Sequence, residues 1–157
     1  MKKVLVAVLT VYCMVFAIPM NAFDLKRTSW EAFGVSFDAP KNMVVEVDSE
    51  EGFIVSNETY YVSVQLLDGE AMDKNALAQD VKQIAEDDQL QDQTQVIPFE
   101  LPQFYGAQLQ GSSEGEFFIY SYLMSKDGSG GFFVTIIFKD KDDILPENII
   151  KSFQLQD

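Results

Sequence analysis

The sequence predicts an α+β domain built on an antiparallel β-sheet that is covered on both faces. Three observations predict it. Apolar residues alternate with period two in several short runs, the mark of strands. One apolar stripe at helical spacing lies mid-chain and a shorter one lies near the C-terminal end. A late aromatic hairpin is apolar on both of its faces, and such strands are covered on both faces.

The N-terminal segment stands apart from this domain. Met1-Lys2-Lys3 is a short positive start, an uncharged apolar run extends from Val4 to Ile18, Pro19 breaks it, and Ala22 is a small residue suited to cleavage. That order is the order of a signal peptide. The 15-residue run is shorter than the ~20 residues a membrane-spanning helix needs, so cleavage is expected over a retained anchor. Ala22 is the preferred cleavage point and Ala17 the alternative. Cys13 follows the large Tyr12 and lies inside the run, so it reads as an ordinary signal residue, not a lipid-attachment site. Residues 1–22 are therefore expected to be a signal peptide and 23–157 a single globular domain, periplasmic or secreted, with no stable membrane insertion after cleavage.

Within the domain, residues 23–34 read as a lead-in anchored by Trp30 and Phe33. Val35–Phe37 is a short strand stopped by Asp38-Ala39-Pro40. Met43–Val47 alternates, Asp48–Gly52 is a turn, and Phe53–Val55 returns, which makes a hairpin. After the turn Asn57-Glu58-Thr59, the run Tyr60–Leu67 keeps period two over eight residues. That turn fits a glycosylation sequon, which is discounted because the signal segment is bacterial in style.

Asp73–Asp87 is the main predicted helix. Leu77, Val81, Ile84 and Ala85 form its stripe, and Asp73 suits the N-cap and the positive end of the helix dipole. Val96–Leu101 contains Pro98, which confines it to a sheet edge or an irregular strand. Tyr105–Gln110 is the next strand. Glu116–Met124 and Gly131–Phe138 form the two-faced hairpin around the turn Lys126–Gly130. Ile144–Phe153 closes the chain as a short helix, with Pro146 tolerated in its first turn.

Composition excludes several chemistries. The chain has no histidine, and its one cysteine lies in the signal segment. Imidazole bases, Ser-His-Asp and Cys-His arrangements, thiolate metal sites and internal disulfides are therefore absent from the domain. Gly128–Gly131 lies between two strands and not before a helix, so it is no phosphate-binding loop. The chain carries 11 basic and 25 acidic residues, a net charge of −14. Cleavage removes Lys2 and Lys3 and no acid, leaving nine bases against 25 acids, or −16. Such a surface repels nucleic acid and anionic lipid, keeps the protein soluble, and favours cations or basic protein surfaces.

The segment Gly34-Val35-Ser36-Phe37-Asp38-Ala39-Pro40, the following hairpin, strand and helix, the glycine-flanked aromatic hairpin and the terminal Ile150-Lys151-Ser152-Phe153 resemble the PsbP/Mog1-like superfamily, including its bacterial exported members. The resemblance spans residues 30–155. It implies an α/β/α sandwich, an antiparallel sheet flanked by helices on both faces. It also implies a binding or assembly role through a protein partner in the cell envelope, with no catalytic motif carried over and no cofactor.

Two candidate sites follow from the residues. Phe99, Leu101, Phe104 and Tyr105 lie on a stiff segment around Pro98 and Pro102, suited to docking a partner or simply to filling the core. Asp140, Asp142 and Asp143 lie in one loop and offer oxygen ligands to Ca2+. Asp48, Glu50 and Glu51 form a second acidic loop; neither has EF-hand spacing, and a solvated turn is the plainer account. A carboxylate-based hydrolase is the third functional alternative, beside a binding module and a small-ligand or cation binder.

Overall fold

The computed structural model describes residues 24–67 and 73–157. The expected signal segment, 1–22, lies outside the described residues. Ten strands and two α-helices follow in order: β1 (Leu25–Trp30), β2 (Val35–Pro40), β3 (Val44–Asp48), β4 (Phe53–Ser56), β5 (Tyr61–Leu67), α1 (Leu77–Asp87), β6 (Ile97–Glu100), β7 (Phe104–Ser113), β8 (Glu116–Ser125), β9 (Gly131–Phe138), α2 (Leu145–Lys151) and β10 (Gln154–Leu155). A seven-stranded sheet runs β3-β4-β5-β9-β8-β7-β6, and a three-stranded sheet runs β1-β2-β10. Every pairing is antiparallel.

The long strands β7, β8 and β9 are central because each presents apolar residues to both faces. On the first face Ile119, Leu123, Phe132, Val134, Ile136 and Phe138 join Val62 and Val64 of β5. The small sheet and α2 cover this face, contributing Trp30, Phe37, Leu145, Ile149 and Phe153. Aromatic rings interlock there: Phe37 stacks on Phe153 at 4.7 Å, and Trp30 meets Phe33 edge-on at 4.5 Å. Burying such a side chain fully contributes about 1.5–3 kcal/mol. Trp30 also donates its indole N–H to the Ser49 carbonyl at 3.0 Å, so its one polar group is satisfied.

On the second face Tyr120, Tyr122, Ala107 and Leu109 pack against Leu77, Val81 and Ala85 of α1. The fold is therefore α+β with a largely antiparallel sheet, as expected. The α/β/α sandwich is met only in part, because the cover of the first face is mainly a second sheet with one short helix.

Local differences have local causes. The lead-in is a strand: β1 pairs along the whole length of β2, from Leu25↔Pro40 to Trp30↔Val35. Its mixed polar sequence hides this, since only Thr28 and Trp30 are buried. β2 runs through Asp38-Ala39-Pro40 instead of stopping there. The main helix begins at Leu77, not Asp73. The Asp73 carboxylate instead accepts the Asn75 N–H at 2.9 Å and holds a turn ahead of the helix. Phe153 lies beyond α2 and is fully buried, and β10 follows it.

Candidate functional site

The second face of the seven-stranded sheet is covered unevenly. α1 lies over β7 and β8, and the segment that follows it approaches β7 closely at Gly111, where a Cβ would sit 3.1 Å from Leu90. Toward β3, β4, β5 and β9 the cover on this face thins among the described residues, with Leu67 and Phe133 packed at the border of the α1 cluster. Register places Val44 beside Ser56, Ser56 beside Tyr61, and Tyr61 beside Ile137. Phe118 continues the row on β8. Val47, Ile54, Ser63 and Thr135 form the neighbouring row. Ile54, Tyr61, Phe118 and Ile137 are half-exposed, and Val44 and Val47 are exposed. A β-bulge between Val45 and Val47 carries Glu46, whose carboxylate accepts the Ser56 hydroxyl. The result is an apolar surface with hydroxyls inside it and carboxylates at its edge.

This surface was not legible as a site in the sequence. Its strands alternate like half-buried strands, and nothing in the chain tells how far one helix reaches. The signal available was the imbalance between eight predicted strands and a single long helical stripe.

The four aromatic and aliphatic residues singled out around Pro98 separate in the structure. β6 is the sheet edge expected from Pro98, paired only with β7. Phe104 and Leu101 are buried in the first-face core. Phe99 is half-buried, its ring lying over Gly106; a Cβ at Gly106 would come within 2.4 Å of that ring, so glycine is needed there. Tyr105 points to the other face, with Lys74 Nζ 4.3 Å and Lys126 Nζ 5.1 Å from its ring centre. Lys126 also pairs with Glu100 at 3.1 Å. Tyr105, Phe99, Pro98, Lys74 and Leu77 line a cavity of about 420 Å³ at this edge. The four residues are thus not one exposed docking patch, because alternate strand positions face opposite sides of the sheet.

The acidic loop before α2 is engaged in its own turn. Asp140 accepts the Asp142 N–H at 3.0 Å, and Asp143 accepts the Leu145 N–H at 2.9 Å. Asp143 also accepts the Tyr60 hydroxyl. Among the described residues no three Asp, Glu, His or Cys side chains are placed to hold a metal ion, so Asp140, Asp142 and Asp143 do not converge as ligands. The Tyr60 phenol is pushed well above its ordinary value by burial first, then by the hydrogen bond to Asp143 and the charges of Asp143 and Asp140. Tyr120 is raised in the same way by burial and by Asp88, whose carboxylate accepts its hydroxyl at 2.6 Å. These two pairs tie the ends of the helical segments to the sheet.

A family profile described as Dihydro-orotase-like matches residues 35–142. The chain belongs to the dihydro-orotase-like family. No curated protein matches it in sequence. Among solved structures it is similar to the Saccharomyces cerevisiae Ran-binding protein Mog1p, with a TM-score of 0.62 and 9% identity over 87% of this chain and 97% of that one. It is similar also to a point mutant of the protein Mog1, with a TM-score of 0.61 and 9% identity over 86% and 97% of the two chains. The fold of this family member is thus Mog1-like, in keeping with the PsbP/Mog1 resemblance of its element order. At that identity the likeness is one of fold alone.

Proposed function

We propose that the chain is a non-enzymatic binding or assembly module that works through protein–protein contacts in the cell envelope. One observation carries the proposal: half of the second sheet face is apolar and lacks a covering element among the described residues. Contiguous apolar surface of this kind marks interaction sites. The Mog1-like fold supports the same class of role, since Mog1p is described as a Ran-binding protein. Export rests on residues 1–22 alone.

The family's description contains an enzyme's name. The chain offers no imidazole for general-base work, and among its described residues no metal-ligating group of three converges, so that activity is not part of the proposal.

The test places a photo-crosslinking phenylalanine analogue at Tyr61, in the open half, or at Lys82, on the exposed side of α1, in the full chain expressed in its own host. The expected result is one saturable crosslinked protein from Tyr61 and none from Lys82. No partner from Tyr61, or equal capture from both positions, would sink the proposal. So would turnover of dihydro-orotate by the purified chain.

A further inference from the structure

The seven-stranded sheet has two edges, and they are protected differently. β6 is four residues long and carries Pro98, which cannot donate to an added strand. β3 has neither proline nor lysine. Its outer backbone N–H and C=O groups have no strand partner among the described residues. All five of its residues are exposed, with Val44 at 64%, Val45 at 50% and Val47 at 37%.

An exposed edge with three valines is a template for strand pairing. Its charge says which strand it can accept. Glu46 and Asp48 lie within β3, and Glu50 and Glu51 occupy the turn that follows. The nearest base in sequence, Lys41, is paired with Asp24 at 3.0 Å. A second copy of the chain is therefore a poor occupant. Antiparallel β3–β3 pairing would bring these carboxylates together across the new ladder, and like charges placed so are destabilising. Nucleic acid and anionic lipid have the wrong sign as well.

We propose that β3 accepts an extended basic segment of a protein partner by strand addition. The partner's backbone pairs with the outer edge of β3. Lysines or arginines on one face of the added strand meet Glu46 on the open face, and apolar residues on its other face meet Val45. The inference rests on the binding-module reading and gives that partner a chemistry. The bulge sets Glu46 toward the open face beside Ser56.

The experiment titrates the full chain with a synthetic peptide of alternating lysine and valine, about seven residues long, matched to a common strand length. Controls are a glutamate–valine peptide and a lysine–valine peptide interrupted by prolines. Backbone amide shifts are expected at residues 43–48 and to weaken with salt. Val45→Lys and Glu46→Lys should each weaken binding by about tenfold or more, since each sets like charges against one another. Ile97→Lys, on the opposite edge, should leave binding unchanged. Thermal melts of each variant verify that it folds.

Equal binding by Val45→Lys, equal binding of the proline-interrupted peptide, or shifts mapping elsewhere would overturn strand addition at β3. So would concentration-dependent dimers that disappear in Val45→Lys, because they would assign the edge to a second copy. A partner crosslinked from Tyr61 and retained by Val45→Lys overturns this inference and leaves the binding-module reading standing. Loss of the Tyr61 partner altogether removes that reading instead.

Discussion

The two faces of the seven-stranded sheet are built from the same strands, yet they end differently. The first face lies under a second sheet and α2, and its aromatic residues are nearly all buried. The second face has a single long helix over β7 and β8, and its other half stays half-exposed. Helix width explains the difference. One α-helix with its side chains is about 10–12 Å across. Strands lie about 4.8 Å apart, so one helix covers little more than two of them. Seven strands need more cover than α1 supplies. The sealed face holds the fold, and among the described residues the other half of the second face is left half-exposed.

Substitutions separate those roles most sharply at the sealed face. Trp30→Ala should cost about 3–5 kcal/mol, as removal of a large buried aromatic does, and also leaves the Ser49 carbonyl without its donor. Leu77→Ala, on the buried side of α1, should cost about 2–5 kcal/mol and fall toward the low end, because a single helix can settle onto the space left. Urea unfolding midpoints measure both. A larger loss from Leu77→Ala than from Trp30→Ala would reverse the ranking of the faces.

A smaller effect tests the tyrosine–aspartate ties, one on each face. The folded state holds the Tyr60 and Tyr120 phenols neutral with raised pKa values. Below their ordinary value near 10 both states bind these protons, and the stabilisation is fully present. As pH rises above that value the unfolded chain loses the protons first, so stability falls. Tyr60→Phe with Tyr120→Phe should flatten the alkaline fall in melting temperature. Part of the fall should remain, since Tyr122 is also raised, by burial and then by Asp80. An unchanged alkaline slope would show that the ties carry none of it.

The smallest effect belongs to the open half. Val44→Ser should change stability by less than about 0.5 kcal/mol, the usual range for exposed positions. A loss comparable to that of Leu77→Ala would mean that something covers Val44 in solution.

Particular residues show how far the sequence could be followed. Tyr60–Leu67 was legible as a strand from its alternation, and Glu116–Met124 and Gly131–Phe138 from the glycine-rich turn between two aromatic, two-faced runs. Pro98 announced an edge or irregular strand through its missing N–H, and β6 is the sheet edge. β1 was not legible, because Leu25–Trp30 gains its strand form from pairing with β2 and buries few of its own residues. The helix start at Leu77 was misplaced because Asp73 serves a local turn equally well. Among the candidate site residues, Phe99 and Tyr105 reach one cavity while Leu101 and Phe104 enter the core, a division set by strand alternation and burial together.

The sequence by itself determined the class of fold, the order of its main elements, the acidic surface and the absence of imidazole and thiol chemistry from the domain. Those follow from residue type and local spacing. Tertiary structure alone decided that Trp30 and Phe153 meet the same core, that a second sheet covers the first face, and that α1 lies mainly over β7 and β8. Residues that meet across a sheet are far apart along the chain. Period-two alternation says only that a strand has two sides, and not what lies on them.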